Sequence, residues 1–168
     1  MQINIIHSPD FTAVEVESAL RAFDCGAILA LSSVAGVQTQ SITLDKLMIR
    51  YKLPRIVFIN NLHHKGANPW QVLNQARSKL KHHSAAVQVP IGLEDDFKGL
   101  VDLVQLKAYY FHVEKVVVEQ VPEEVPADME ALVSEKRCEL IQTVSEVDDK
   151  LAQAFRCDKP ISAPDLEV

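Results

Sequence analysis

Short apolar runs alternate with segments of helical periodicity in the first half of the chain. Residues 2–6, 27–31 and 55–59 have the length and composition of buried strands. Residues 11–23 and 39–51 instead place apolar side chains at helical spacing. Strands that alternate with helices in this way predict an α/β fold with parallel strands joined by helical crossovers.

The pattern changes near residue 85. A helix is expected after Asn68-Pro69, because proline is favoured at the first position of a helix. Beyond it, the alternation of apolar and polar residues predicts strands at 85–89, 101–110 and 114–120. A helix of about 18 residues is expected from Ala127-Asp128, and a shorter one from Val147-Asp148-Asp149. We therefore predict two domains, residues 1–84 and an α+β unit at 85–168.

Composition limits the class of protein. The chain has 168 residues, 48% hydrophobic residues and a net charge of −6, which argues against disorder and against general nucleic-acid binding. It has no apolar run of membrane-spanning length, and Met1 is followed directly by the first predicted strand, so we expect neither a membrane partner nor a presequence. Three cysteines without a C-x-x-C spacing favour a reducing compartment.

The tetrad Asn60-Asn61-Leu62-His63 directly follows the third predicted strand. Guanine-binding GTPases carry Asn-Lys-x-Asp there, and the carboxylate accepts two charge-assisted hydrogen bonds from the base. A neutral imidazole has one donor and one acceptor, so His63 cannot reproduce that contact, and Asn61 lacks the length and charge of lysine. Asn60 alone matches, although an asparagine at the end of a strand is also a common turn residue.

The flanking sequence resembles the translational GTPase elongation factor G, in particular its plant mitochondrial type. The resemblance covers nearly the whole chain, in the order and spacing of that family. The matching segments are Ile3-Asn4-Ile5-Ile6, Val14-Glu15-Val16-Glu17-Ser18-Ala19-Leu20-Arg21, Gly36-Val37-Gln38-Thr39-Gln40, Pro54-Arg55-Ile56-Val57-Phe58-Ile59-Asn60, Val89-Pro90-Ile91-Gly92-Leu93-Glu94-Asp95-Asp96-Phe97-Lys98-Gly99-Leu100-Val101-Asp102-Leu103 and Glu146-Val147-Asp148-Asp149.

The resemblance implies a partial P-loop-GTPase-like sheet with an inserted subdomain, but several family motifs are altered. No G-x-x-x-x-G-K-[ST] segment occurs among the 168 residues, so the strand that leads into the phosphate loop is expected to be missing. At the second switch the family has Asp-x-x-Gly-His, and the chain has His7 and Asp10 in a shortened stretch. We therefore expect no catalytic residue and no bound cofactor. GTP and Mg²⁺ are implied by the family alone.

The histidine pairs and the acidic turn suggest metal binding only weakly. Adjacent side chains, as in His63-His64 and His82-His83, point in different directions, whereas zinc ligands are usually spaced apart. Asp95-Asp96 is expected at the tip of an acidic hairpin. We therefore predict no metal site.

The resemblance also implies the ribosome as a partner. Residues 114–168 hold 14 acidic and 6 basic residues, and in the family the inserted subdomain docks the ribosomal stalk protein. Glu130, Glu135, Lys136 and Glu139 are the candidate docking residues, and a plain solvated helix face is the alternative. No sequence-specific contact with nucleic acid is expected. The implied location is mitochondrial, or cytoplasmic in the absence of a presequence.

Two functions are therefore compatible with the sequence. One is translation elongation in the manner of elongation factor G, with GTP binding and hydrolysis lost from this chain by itself. The other is a non-enzymatic module that contacts the ribosomal stalk, or an inert product of a truncated gene.

Overall fold

The computed structural model describes residues 26–111, 123–157 and 160–166. The predicted elements at 2–6, 11–23 and 114–120 lie outside these ranges. In chain order the described elements are β1 (Ala27–Ser32), α1 (Thr39–Arg50), β2 (Arg55–Asn60), α2 (Pro69–Lys79), β3 (Gln88–Ile91), β4 (Gly99–Asp102), β5 (Lys107–Tyr110), α3 (Glu130–Ser145), α4 (Asp149–Arg156) and α5 (Ala163–Leu166). Residues 26–84 are called the first unit below, and the described residues from 85 onward are called the second unit.

Strands β1 and β2 pair in parallel, which confirms the predicted α/β arrangement. Ala27 lies opposite Arg55, and Ser32 lies opposite Asn60, so both strands end at the same edge. The helices that follow them also begin where predicted. At α2 the Asn68 side chain accepts a hydrogen bond from the Gln71 amide at 3.0 Å, directly before proline at the first helical position.

One face of the β1–β2 pair forms the core of the first unit. Leu29 and Leu31 are each only 2% exposed and pack with Met48 of α1 and with Val72 and Ala76 of α2. Ile42 and Leu47 of α1 pack against the same cluster. The period-2 alternation of strand side chains therefore places one set of apolar residues under both helices.

The opposite face of the same two strands is exposed and apolar. Ile28 pairs with Ile56, and Ala30 pairs with Phe58. Ile56 is 71% exposed, Ile28 60% and Phe58 55%. These four residues form a contiguous hydrophobic surface rather than isolated exposed side chains.

A buried carboxylate joins three segments of the first unit. Asp45 of α1 is 2% exposed, and its Oδ1 accepts a hydrogen bond from Arg55 Nε at 2.6 Å. His82, beyond α2, places its Nε2 2.8 Å from the same oxygen and 2.9 Å from Arg55 Nη2. The ion pair offsets the cost of burying Asp45 and holds the start of β2 against α1.

The second unit is built on the antiparallel sheet β3–β4–β5. Val89, Val101, Leu103 and Ala108 are fully buried and pack against Val133 and Leu140 of α3. Arg137 of the same helix donates hydrogen bonds to the Leu103 and Val104 carbonyls and to the Ile161 carbonyl. These contacts hold α3 against the turn between β4 and β5.

The predicted single strand at 101–110 is wrong, because a turn divides it into β4 and β5. The Asp102 carboxylate accepts hydrogen bonds from the amides of Val104 and Gln105 at 2.8 and 2.9 Å. Leu106 follows with a φ of 55°. An aspartate that bonds to the backbone two residues ahead reverses the chain. The strand predicted at 85–89 is also displaced, to Gln88–Ile91.

Charged side chains connect α2 of the first unit with α3 of the second. Arg77 donates to Glu139, and also to the Ser84 carbonyl at 2.9 and 2.6 Å. Lys136 Nζ lies 3.2 Å from Glu139 Oε2 and 5.1 Å from the ring centroid of Trp70. Burial opposes the charge on Glu139, but hydrogen bonds from Arg77 and Lys136 outweigh it and lower the pKa of this carboxyl. The interface is therefore anchored by a half-buried ionic network.

We expect Asp45→Ala to destabilise the chain by about 3 kcal/mol, because it leaves the Arg55 guanidinium without its buried partner. Urea unfolding measures the change. Asp95→Ala, at an exposed acidic position, is the matched control and should stay within about 0.5 kcal/mol of the wild type. Equal effects of the two substitutions would contradict the assigned role of Asp45.

Arg77 and Glu139 should show a coupling energy of about 1 kcal/mol in a double-mutant cycle of alanine variants at pH 7. Folding lowers the pKa of Glu139 from its ordinary 4.5. The coupling is therefore present above pH 4.5 and is lost as the pH falls through the folded-state value. The exposed Glu124 is the control, and Glu124→Ala should stay within about 0.5 kcal/mol of the wild type, as surface substitutions usually do. A coupling that persists in strong acid, at about pH 2, would rule out the ionic origin.

Candidate functional site

The candidate site lies at the carboxyl ends of β1 and β2. Parallel sheets commonly bind ligands at this edge. The register brings Ser32 and Asn60 to the same level, so the residues that follow the two strands become neighbours. The predicted tetrad residues Asn60, Asn61 and His63 are therefore placed next to the turn that follows β1.

Ser33 connects the two strand ends and is almost completely buried, at 1% exposure. Its amide donates to the Asn60 carbonyl at 2.9 Å, and its hydroxyl donates to the Asn61 carbonyl at 2.7 Å. The Asn68 amide donates back to the Ser33 carbonyl at 2.9 Å. The first two contacts fix the start of the loop after β2 and the third fixes its end, directly before α2. Sequence reasoning did not identify Ser33.

The turn after β1 is held by a side chain from α2. Gln75 Oε1 accepts a hydrogen bond from the Val37 amide at 2.9 Å. Gly36 has a φ of +66°, and a Cβ there would lie 2.3 Å from the same oxygen. Glycine is therefore favoured at this position by its conformation, and a side chain there would also displace the Gln75 amide group.

One residue of the tetrad, Asn61, has an unusual backbone conformation. Asn61 has a φ of 66°, a left-handed value that asparagine tolerates better than most residues. Asn60 Oδ1 accepts a hydrogen bond from the Asn61 amide at 2.8 Å. The exposed rings of His63 and His64 meet edge to face at 4.4 Å between centroids. Asn60 is thus already engaged within the loop, and His63 is accessible.

A cavity of about 940 Å³ opens beside this loop. Asn60, Asn61 and His63 lie in its wall, but His64 does not. The remaining lining is largely apolar and includes Ile56 and Phe58 of β2 together with Phe97 and Phe111 of the second unit. Cavities with apolar walls and a few polar groups are typical of ligand sites.

The hydrogen-bonding groups of the tetrad match those of a guanine base only in part. The base presents an N1–H and an exocyclic amine, which a carboxylate can accept together. In its neutral form His63 supplies one acceptor and one donor. Its ring can therefore form one of the two contacts, and no described residue of the tetrad carries a negative charge.

The other predicted residues are those of the altered second switch and the possible metal ligands. His7 and Asp10 of the altered second switch lie outside the described ranges. Within those ranges, no group of three His, Cys, Asp or Glu side chains is placed to hold a metal ion. His82 instead contacts Asp45 and Arg55. Among the helices that the structure describes, none has the length and apolar character needed to cross a membrane.

The four candidate docking residues on α3 fall into two pairs. Glu130 and Glu135 are exposed, although Glu135 Oε1 lies 3.1 Å from Lys136 Nζ. Lys136 and Glu139 are only 18% and 29% exposed at their side chains and belong to the network with Arg77. Docking through this helix stays a prediction, and the exposed pair is the part that solvent reaches.

Comparison with known proteins supports one family over most of the chain. Residues 1–155 match the family described as elongation factor Tu GTP binding domain. Elongation factor G-1, mitochondrial, from Arabidopsis thaliana is 61% identical over 172 residues, which cover 99% of this chain and 22% of that protein. The chain thus spans about a fifth of the length of this relative.

A solved structure has the same fold. A crystal structure of a protein from Thermus thermophilus superposes with a TM-score of 0.75 at 26% identity, over 91% of this chain and 22% of that one. Sequence and structure therefore agree: the chain belongs to the elongation factor Tu GTP-binding-domain family and is similar, over nearly its whole length, to part of elongation factor G.

Proposed function

We propose that the chain serves translation elongation as part of an elongation factor G-type protein, with the ribosome as partner and the mitochondrion as compartment. The identity of 61% to a mitochondrial elongation factor G supports this assignment. In this proposal the first unit is a partial guanine-nucleotide domain and the second unit is its inserted subdomain. Their separate sheets and separate cores are compatible with that division.

The proposal includes a weakened recognition of guanine. The observation that supports it is that His63 lies in the wall of the cavity, and in this proposal His63 stands where the family has its carboxylate. A charge-assisted hydrogen bond is worth roughly 1.5–3 kcal/mol, or about one to two decades of affinity. The 168-residue chain by itself should therefore bind GDP no better than ADP.

GTP hydrolysis by this chain alone is not part of the proposal. Phosphoryl transfer depends on residues that position the phosphates and the attacking water. The 168 residues contain no G-x-x-x-x-G-K-[ST] segment, and the altered second switch has His7 in place of the family's aspartate and lacks the family's Gly-His. The function proposed for this chain is thus that of a folded unit of the factor rather than that of a complete catalyst.

His63→Asp should restore a preference for guanine, because it returns both acceptors to the edge of the base. We expect GDP binding to tighten by about 10–100-fold, the value of a charge-assisted contact, with ADP binding unchanged. Nuclear magnetic resonance titrations of the whole chain with each nucleotide, up to millimolar concentration, measure both affinities. His64→Asp is the matched control, since His64 does not line the cavity.

Two results would contradict the proposal. Micromolar binding of GDP by the wild-type chain, with a clear preference over ADP, would show that His63 does not weaken recognition. An equal gain from His63→Asp and His64→Asp would show that added charge, rather than the position of the carboxylate, controls binding.

A further inference from the structure

One residue of the second unit holds the loop that follows β2. The Glu94 amide donates to the Leu62 carbonyl at 2.9 Å, and Glu94 Oε1 accepts from the Gly66 amide at 2.8 Å. Glu94 thus contacts the two ends of the stretch from Leu62 to Gly66, which contains His63. Its backbone and its side chain both take part in the contact.

The backbone at Glu94 is unfavourable for a residue with a side chain. Glu94 has a φ of 57°, and a left-handed conformation costs a non-glycine residue roughly 1–2 kcal/mol. The neighbouring Gly92 has a φ of +73°, and a Cβ there would lie 2.0 Å from the Asp96 carbonyl oxygen. Strain of this kind persists only where surrounding contacts compensate for it. The two hydrogen bonds to the loop are such contacts.

The same loop is held from the opposite direction by the first unit. The buried Ser33 hydroxyl bonds to the Asn61 carbonyl, one residue before the Leu62 carbonyl that Glu94 binds. Two successive carbonyls are therefore bound by donors from different units. Within the loop, the His64 amide returns to the Asn61 carbonyl at 3.1 Å. The orientation of His63 therefore depends on both contacts, that of Ser33 and that of Glu94.

We propose that Glu94 is a positioning residue, which fixes the loop from Leu62 to Gly66 and thereby lets the second unit control how position 63 meets a ligand base. The link to the base rests on the proposed function. The control of the loop does not rest on the proposed function, because it follows directly from the contacts of Glu94. A displacement of the second unit would reach the loop through the backbone and the side chain of Glu94.

Amide hydrogen exchange at Gly66 tests the control of the loop. In the whole chain, Glu94→Ala should speed exchange at Gly66 by about tenfold, since a bond to a charged group is lost. Glu94→Gln keeps an acceptor oxygen and should restore most of the protection. Asp95→Ala, in the same acidic turn, should exchange as the wild type does. Unchanged exchange in the amides of β1 and β2 shows that the variants fold.

A second arm tests the link to the base. In the His63→Asp background, Glu94→Ala should weaken GDP binding by about tenfold relative to Glu94→Gln, which corresponds to the loss of one such bond. Wild-type exchange at Gly66 in Glu94→Ala would overturn the proposal. Faster exchange with unchanged GDP binding would overturn the link to the base. If His63→Asp gains no GDP affinity, the proposed function fails, and the exchange at Gly66 still decides the role of Glu94.

Discussion

The structure of the first unit depends on the pairing of one buried carboxylate. A carboxylate is costly to bury without partners, and Arg55 and His82 approach Asp45 from β2 and from the segment beyond α2. Because Arg55 is the first residue of β2, the ion pair fixes where that strand begins against α1. Asn60 is the last residue of the same strand, and the pairing of β2 with β1 is continuous from Arg55 to Asn60. The geometry of the loop after β2 is thus set partly by a contact at the far end of the strand.

The two units are joined by polar contacts rather than by one continuous core. Each unit has its own hydrophobic cluster. The Arg77–Glu139 network connects α2 with α3, and Glu94 bonds to the loop that follows β2. Trp70 of α2 is the main exception, because it packs against the core of the second unit. Interfaces of this polar kind permit small relative movements more readily than large apolar ones.

The elements with strong local signals could be predicted from the sequence. Apolar runs indicated β1 and β2, and Asn68-Pro69 located the start of α2. The strand predicted at 101–110 failed because its alternation concealed the aspartate turn at Asp102. Asp45 could not be recognised as buried, since its partners lie 10 and 37 residues away. The tetrad 60–63 was located correctly after β2, but nothing local distinguishes Glu94 from the two acidic residues beside it.

Five non-glycine residues of the described ranges have a left-handed φ: Lys52, Asn61, Lys81, Glu94 and Leu106. Lys52 and Lys81 each lie two residues beyond the end of a helix, α1 and α2 respectively, where glycine would relieve the backbone at little cost. Asn61 and Glu94 differ, because their left-handed backbone orients groups that form hydrogen bonds at the candidate site. Stability and site geometry can therefore be changed at different residues. Backbone strain can be relieved at some positions to raise stability, whereas at others the strained conformation is part of the geometry of the candidate site.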